Sequence, residues 1–397
     1  MHDSSFTSDT DRAQLKQSTE LGHVKLRLEF TGSGSEYFRI WIVNLLLILV
    51  TLGLYFPWAK VRRLRYFYGN TQLDGDPFDF HGDPRKMAKG FLLMGVLFAL
   101  YSLAAEFSPS ARLVALLIVV GLGPALLKSS LQFRLANTSW RGLRFRFLGS
   151  LRDAYVATVP LFVPALALFG LLVAAPDTDQ SPQWIVLATG GIVLSALAAL
   201  PWLLWNLKNY QHMHYALGNL QTHFKATPAD FYRLFIRTIG FAVLVIVVPI
   251  AAIGFLIYGI QLKSGDATTT GAAAFVIAST LGIVVGLVAV FVGIKPYAIS
   301  RLQNLVWTQT GNRSMRFISK LRFRALLWLT IKNWLLIVLT LGLYWPFAAV
   351  AMARMRVEAI CVKTRIDPNT LVGSVRAAEG DAAGDAAGDF FGLDIGL

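Results

Sequence analysis

Hydrophobic and polar positions alternate along this chain in long blocks. Eight stretches lack Asp, Glu, Lys and Arg, and polar connections separate them: 40–59, 90–105, 113–127, 154–176, 180–207, 238–262, 267–294 and 333–353. A transmembrane helix needs about 20 apolar residues, with a range of roughly 17–25. Six of the stretches are long enough, and 90–105 and 113–127 need flanking residues. The pattern predicts an all-α polytopic membrane protein with six to eight transmembrane helices.

The polar ends of the chain define the predicted domains. Residues 1–36 are polar and mixed in charge, and they contain one short alternating strand. Residues 37–370 form the predicted membrane domain. Residues 371–397 are a low-complexity Ala/Gly/Asp tail, which is too poor in apolar residues to order itself.

Composition and charge placement agree with this class of protein. The chain is 55% hydrophobic and 15% charged, with a net charge of +14, whereas soluble domains carry about 25% charged residues. Lys and Arg concentrate in four connections, 59–89, 128–153, 207–237 and 295–324, and only Arg112 and Lys263 lie in the connections between them. This alternation follows the positive-inside rule and places the basic loops in the cytoplasm. We therefore expect membrane lipids, and not nucleic acid, as partners.

One apolar stretch occurs near both ends of the chain. Residues 41–59 and 330–348 are identical at 12 of 19 positions without a gap. The matched residues include an Asn pair and a Gly-Leu-Tyr-x-Pro bend motif: Asn44 and Asn333, then Gly53, Tyr55, Pro57 and Gly342, Tyr344, Pro346. Gly permits a turn, and Pro can begin a new helix without losing a needed donor. The first and last segments are therefore interpreted either as re-entrant helix pairs or as plain spans.

A second similarity lies in the basic loops. Residues 70–83 (NTQLDGDPFDFHGD) and 137–150 (NTSWRGLRFRFLGS) share Asn, Thr, Gly, Phe, Phe and Gly at matched places. Each predicts a β-hairpin that turns at Asp74-Gly75 or Arg141-Gly142. We expect small cytoplasmic hairpins between pseudo-repeated helix pairs. The N-terminal segment 23–32 and the C-terminal segment 359–367 each resemble one half of such a hairpin, so we predict that they pair, with both termini cytoplasmic.

These motifs carry a resemblance to a known family. The TLGLYFPWA stretch (51–59), the run KVRRLRYFYGNT (60–71) and the Phe-x-Phe-x-Gly element are similar to the YjgN family of bacterial inner-membrane proteins, over roughly residues 24–370. The C-terminal copy differs, with Phe347 in place of Trp and uncharged residues where the first copy has Lys60, Arg62 and Arg63. The resemblance implies a bacterial inner-membrane location and no activity.

The sequence predicts that the protein is not an enzyme. The apolar segments contain no Asp or Glu, and no GxSxG, HExxH or P-loop motif occurs. The histidines of YQHMHY (210–215) lack the carboxylate or cysteine partners of a metal site, and Cys361 is the single cysteine. We predict no catalytic, cofactor or metal site.

Two groups of residues are candidates for binding. Asn44 and Asn333 form a possible intramembrane polar pair, which either joins helices by hydrogen bonds or faces a cargo. Lys60, Arg62, Arg63 and Arg65 lie beside aromatic residues at a helix end, where they either contact lipid headgroups or only set the topology.

Two functional hypotheses remain open. In the first, the protein is channel- or transporter-like and moves a small solute or lipid without a carboxylate relay. In the second, it is a membrane scaffold or lipid-binding module that docks partners through its cytoplasmic hairpins. A continuous polar cavity lined by both asparagines would favour the first hypothesis.

Overall fold

The computed structural model describes residues 24–174, 182–218, 220–264 and 288–365, together with 280–282, 284, 286, 370 and 372–373. Most of the predicted apolar segment 267–294, most of the N-terminal segment and nearly all of the C-terminal tail lie outside these residues.

Helices make up most of the described chain, and they come in pairs. They are α1 (Gly34–Val50), α2 (Phe56–Gly69), α3 (Pro84–Phe107), α4 (Pro109–Ala136), α5 (Leu151–Thr158), α6 (Val163–Ala174), α7 (Gln183–Met213), α8 (Pro228–Ser264), α9 (Lys295–Thr308), α10 (Phe323–Leu339) and α11 (Trp345–Glu358). A 3-10 turn, Val159–Leu161, joins α5 to α6, and a π-helix, Ala289–Ile294, leads into α9.

Strands join the helix pairs. They are β1 (Val24–Phe30), β2 (Thr71–Leu73), β3 (Asp76–Phe80), β4 (Thr138–Trp140), β5 (Leu143–Phe147), β6 (Tyr215–Leu217), β7 (Leu220–Gln221), β8 (His223–Phe224), β9 (Thr310–Gly311), β10 (Met315–Ser319) and β11 (Ile360–Thr364). All of them belong to one antiparallel sheet of order β7-β6-β5-β4-β3-β2-β1-β11-β10-β9-β8. The prediction of an all-α protein with separate small hairpins is therefore wrong, because the hairpins pair edge to edge instead of leaving their edges open.

The sheet curls into a near-closed barrel. Its two terminal strands, β7 and β8, are consecutive in the chain and are separated only by Thr222. One short segment therefore pairs with β6 through its first half and with β9 through its second half. When β7 and β8 are counted as one bent strand, ten strands surround a common interior.

One backbone hydrogen bond recurs around this barrel. The residue that follows each outgoing strand donates its N–H to the carbonyl at the C-terminal end of the next incoming helix, over 2.8–3.0 Å. The five bonds are Thr31 to Asn70, His81 to Asn137, Leu148 to His214, Lys225 to Gln309, and Lys320 to Ala359. The barrel therefore consists of five units that share this bond and the same order of elements, namely an incoming helix, two strands and an outgoing helix, with β7 and β8 counted as one strand.

The two chain ends supply the strands of the fifth unit. β1 pairs antiparallel with β11, with Leu26 opposite Val362 and Arg27 opposite Cys361. The predicted pairing of the N-terminal and C-terminal half-hairpins is thus present in the structure. Both ends of the described chain consequently lie at the barrel.

The links from strand to helix explain the Phe-x-Gly element. Ser33, Asp83 and Ser150 cap their helices by accepting a backbone N–H from the first turn. The glycine before each cap packs under the preceding phenylalanine ring. A Cβ on Gly82 would lie 2.4 Å from the ring of Phe80, so a side chain there would force the ring to move.

Each helix pair leaves the barrel and returns to it. The helices pack mainly on their neighbours in chain order, and α11 packs on α1, so they form a ring that follows the barrel. Four helices within the described ranges are long and apolar enough to cross a membrane, in 84–104, 110–136, 183–213 and 228–252, and a bent pair in 151–171 raises the number to five. Within the described ranges, 154–176 bends by 45° and the two end segments break. The predicted segment 267–294 lies mostly outside those ranges, so the predicted number of six to eight spans stays a prediction.

The end segments break at the matched bend motifs. Leu52 and Gly53 adopt φ of 49° and 91°, and Leu341 and Gly342 adopt 51° and 93°. Since positive φ is costly for a residue with a Cβ, glycine is favoured at the more positive position. The chain turns there and returns to the barrel as α2 or α11. At about 1.5 Å per residue, the 17 residues of α1 or α10 extend about 26 Å, less than the ~30 Å hydrocarbon core.

Candidate functional site

A cavity of about 390 Å³ lies among α2, α10 and α11, and we call it the helix cavity. α2 contributes Arg63 and Phe67, and α10 and α11 contribute the remaining walls. The walls from α10 and α11 combine polar, aromatic and small side chains: Thr330, Asn333, Trp334, Ile337, Trp345, Ala348, Ala349, Met352, Ala353 and Arg356. The bends described above create this space, because each returning helix is held beside its partner and at the barrel rim.

Two guanidinium groups give the helix cavity its charge. Arg63 lies over the rings of Phe67 and Trp345, with its guanidinium carbon 5.7 Å from each ring centre. Arg356 donates from Nε to Oε1 of Gln303 at 2.8 Å, and burial lowers the pKa of Arg356 from its ordinary value. No carboxylate lines the cavity, and neither arginine pairs with one in the described part of the chain. The cavity therefore has two positive charges and no counter-charge from the described side chains.

Asn333 adds an unpartnered amide to this cavity. Its side chain is 4% exposed, and neither Oδ1 nor Nδ2 has a hydrogen-bond partner among the described residues. Buried polar groups are nearly always hydrogen-bonded, and an unsatisfied one costs about 1–3 kcal/mol. The amide is placed to bind a polar group that enters the cavity.

The structure does not bring the two predicted asparagines to one cavity. Asn44 is also buried, at 7% exposure, and its Oδ1 has no partner among the described atoms. It lies on α1 and is absent from the lining of the helix cavity. The polar cavity expected from the first hypothesis therefore contains only one member of the pair.

The predicted basic residues of α2 have different environments. Only Arg63 lines the helix cavity. All four basic residues are exposed, and Arg62 lies over the ring of Tyr55 at 5.9 Å. Arg65 donates to the carbonyl of Gly82 at 3.2 Å, which ties α2 to the strand-to-helix link that follows β3. The predicted headgroup contacts of the four residues stay a prediction.

Arg354 on α11 makes a hydrogen bond that is equivalent to the bond of Arg65. It donates to the carbonyl of Gly32 at 2.8 Å, and Gly32 occupies in the first strand-to-helix link the place that Gly82 occupies in the second. Sequence reasoning assigned no role to this arginine. The equal offset of 289 residues between Arg65 and Arg354 was the available signal.

The histidines of 210–215 serve the packing of the barrel rim. His212 hydrogen-bonds Oγ1 of Thr310 over 3.0 Å, and Nδ1 of His214 lies 2.8 Å from the carbonyl oxygen of Tyr210. Within the described residues, no three His, Cys, Asp or Glu side chains converge as a metal site would require. The predicted absence of a catalytic or cofactor site stays a prediction.

Comparison with known proteins identifies the family. A family model described as "Bacterial protein of unknown function (DUF898)" matches residues 25–390. The chain belongs to the DUF898 family. The chain is also similar to curated proteins named inner membrane protein YjgN, which confirms the resemblance inferred from the TLGLY and Phe-x-Gly motifs. These names and the apolar helices together support a membrane protein.

The similarity to the YjgN proteins covers less than half of each chain. The protein from Salmonella typhimurium is 31% identical over 171 residues, which are 42% of this chain and 41% of the relative. The protein from Escherichia coli strain K12 is 31% identical over 144 residues, which are 36% of this chain and 35% of the relative. The aligned part of the chain thus spans about two fifths of the curated relatives or less. No solved structure matches the chain.

The residues that complete the helix cavity were not predicted from sequence. Thr330, Trp345 and Arg356 were assigned no role, and Gln303, which holds Arg356, lies 53 residues away from it. Periodicity would have placed Thr330 on the same face of α10 as Asn333, because residues three apart are neighbours on a helix. No local signal joins Gln303 to Arg356.

Proposed function

We propose that this DUF898 protein is a non-enzymatic protein of the bacterial inner membrane that binds an anionic phospholipid, with the headgroup in the helix cavity. The observation that carries the proposal is the set of Arg63, Arg356 and the unpartnered amide of Asn333 around one cavity without a carboxylate. Guanidinium groups form strong, charge-assisted hydrogen bonds to phosphate oxygens. A phosphate would satisfy both the arginines and the amide donor.

The surroundings of the cavity favour a lipid over a soluble anion. The turn between the lining residues Ile337 and Trp345 exposes Leu341 at 95%, and the matched turn after α1 exposes Leu52 at 94%. Trp334 and Trp345 are 43% and 39% exposed beside the cavity. Extensive exposed apolar surface marks contact with a membrane or a partner, and tryptophan is enriched at the membrane interface. A lipid headgroup would therefore meet the arginines while its chains contact the apolar turns.

The orientation we propose places the barrel and both termini in the cytoplasm. Every helix pair starts and ends at the barrel, so every pair returns to the same side. The basic connections lie on that side, which the positive-inside rule assigns to the cytoplasm. The first and last pairs are re-entrant in this proposal.

Lipid binding can be measured by native mass spectrometry of the purified full chain with phosphatidylglycerol. Arg63→Gln and Arg356→Gln should each weaken binding about fivefold, since a basic residue near anionic headgroups contributes about 1 kcal/mol. Arg62→Gln is the matched control, because Arg62 adjoins Arg63 and does not line the cavity. Phosphatidylcholine should bind more weakly than phosphatidylglycerol.

Two outcomes would contradict the lipid proposal. Equal phosphatidylglycerol binding by the wild type and by both cavity variants would show that the arginines hold no headgroup. Binding of inorganic phosphate that excludes phosphatidylglycerol would assign the cavity to a soluble anion. Thermal melting of each variant checks that the chain is folded.

Movement of a small solute or lipid is a second candidate function. The helices form a ring, and in the four apolar helices at most 11% of the most apolar stretch is buried within the chain. Helix faces that the chain leaves uncovered could line a path for lipid or contact further copies. A lipid-scrambling assay in proteoliposomes tests this role, and scrambling no faster than in empty vesicles would exclude it.

A further inference from the structure

The interior of the barrel holds a second cavity, of about 460 Å³, which we call the lumen. Residues of β1 to β7 and β9 to β11 line it, and the C-terminal ends of four helices contribute Tyr68, Arg134, Leu135, Trp307 and Val357. Val372 packs on the part of this wall that includes Trp140 and Leu217. It shares no lining residue with the helix cavity. The two cavities are therefore separate candidate sites.

The number of strands accounts for the space. A barrel of about eight strands is just filled by its own side chains or holds one small ligand, and diameter grows with strand number. Here ten strands surround the interior. Several inward positions carry short side chains, among them Thr138, Ala216 and Gly311. The volume falls within the ~300–1,000 Å³ that is typical of small-molecule sites.

The lining specifies the chemistry of a ligand. Most of the wall is apolar, with Leu26, Phe145 and Val362 as representatives. Arg134, which is exposed near the C-terminal end of α4, is the only charged side chain among the described residues that line the lumen. An apolar wall with a single cation suits a molecule that has an apolar body and one negative charge.

The indole N–H of Trp140 gives independent support for a ligand in the lumen. Its side chain is 3% exposed and lines the lumen, and its indole N–H has no hydrogen-bond partner among the described atoms. Buried Trp N–H groups usually find an acceptor. An oxygen atom of a bound molecule would supply one.

We propose that the lumen binds a long-chain fatty acid or a closely similar amphipathic carboxylate. The hydrocarbon chain of the acid occupies the apolar interior of the barrel. Arg134 attracts the carboxylate, and the indole N–H of Trp140 donates to a ligand oxygen. This site does not depend on the proposed headgroup site between the helices.

A photoreactive fatty acid with a diazirine in its hydrocarbon chain tests whether the ligand binds in the lumen. The full-length protein in amphipol is irradiated with the probe, and the labelled peptides are mapped by mass spectrometry. We expect labels on strand residues of the lumen, such as Phe145 and Leu217, and competition by unlabelled palmitate. Labels confined to the membrane helices would overturn the proposal.

Matched variants test the chemistry. Arg134→Gln should weaken palmitate competition about tenfold and leave hexadecanol competition unchanged, because only the acid carries the charge. Trp140→Phe keeps the ring, removes the N–H and should weaken both competitors about threefold. Arg144→Gln is the control, since Arg144 is exposed on β5 and does not line the lumen. Equal palmitate competition in Arg134→Gln and Arg144→Gln would refute the assigned role of the cation.

Discussion

Closure of the barrel by the chain ends can be tested with one substitution. Arg27 on β1 lies opposite Cys361 on β11, and Cys361 is the single cysteine of the chain. Directly opposed residues in an antiparallel pair have Cα atoms about 4.5–5.5 Å apart, within the 4.4–6.8 Å range of disulfides. Both positions alternate with the lumen-lining pair Leu26 and Val362, so they face outward and are open to oxidants. Arg27→Cys should therefore form a disulfide with the native cysteine.

The disulfide should stabilise the protein measurably. It would close a loop of 335 residues, from 27 to 361, for which the chain-entropy relation gives about 6 kcal/mol. Engineered disulfides commonly deliver less than this relation predicts, and their range is about 0–5 kcal/mol. We expect about 2–4 kcal/mol, seen as a rise in melting temperature of several degrees that a reductant reverses.

The assay is oxidation in isolated membranes followed by non-reducing electrophoresis. A cross-linked chain should migrate differently from the reduced chain, and fragments from a single proteolytic cut should stay joined until reduction. Glu29→Cys is the matched control, because Glu29 is also exposed on β1 but pairs with Gln72 of β2. Absence of a cross-link in Arg27→Cys, or an equal yield in Glu29→Cys, would refute the register and with it the closure.

Three further perturbations test other parts of the fold. Gly82→Ala should lower the free energy of unfolding by about 1–3 kcal/mol through overpacking. Gly90→Ala is the control, because a Cβ there meets nothing within 4 Å. Equal melting temperatures of the two variants would contradict the close packing at Gly82. Arg354→Gln should lower the free energy of unfolding by about 1–3 kcal/mol, because the partly buried carbonyls of Phe30 and Gly32 lose a charged donor. An unchanged denaturation midpoint would contradict this. Cysteines placed at Leu52 and Leu341 should resist a membrane-impermeant maleimide from both sides of the membrane if the turns are re-entrant, and labelling from the periplasm would show that they cross.

Local features of the fold were readable from the sequence. The turns at Asp74-Gly75 and Arg141-Gly142 have positive φ at both residues, as Asx-Gly and similar pairs predict for tight hairpins. The positions of the helix bends followed from Gly53 and Gly342 in the same way. These features depend on a few consecutive residues, so the backbone preferences of those residues are enough to specify them.

The candidate sites were only partly readable. Arg63 and Asn333 were recognised from charge and from matched position. The helix cavity nevertheless exists only because α2 meets α10 and α11, and Arg63 and Asn333 are 270 positions apart in the chain. The lumen had no sequence signal, because its wall alternates like any half-buried strand. Trp140 resembled an ordinary hairpin residue until its N–H was seen to lack a partner.

The sequence by itself determined the class of protein, the hairpins, the bends and the pairing of the chain ends, because hydrophobic blocks and turn residues act over short distances. Only the tertiary structure decided that the hairpins join into one barrel. The joining bonds link residues 39 to 84 positions apart, such as Thr31 with Asn70 and Lys225 with Gln309. Edge strands can pair with any strand of suitable length, so their partners are chosen by the geometry of the whole ring and not by the residues of either strand.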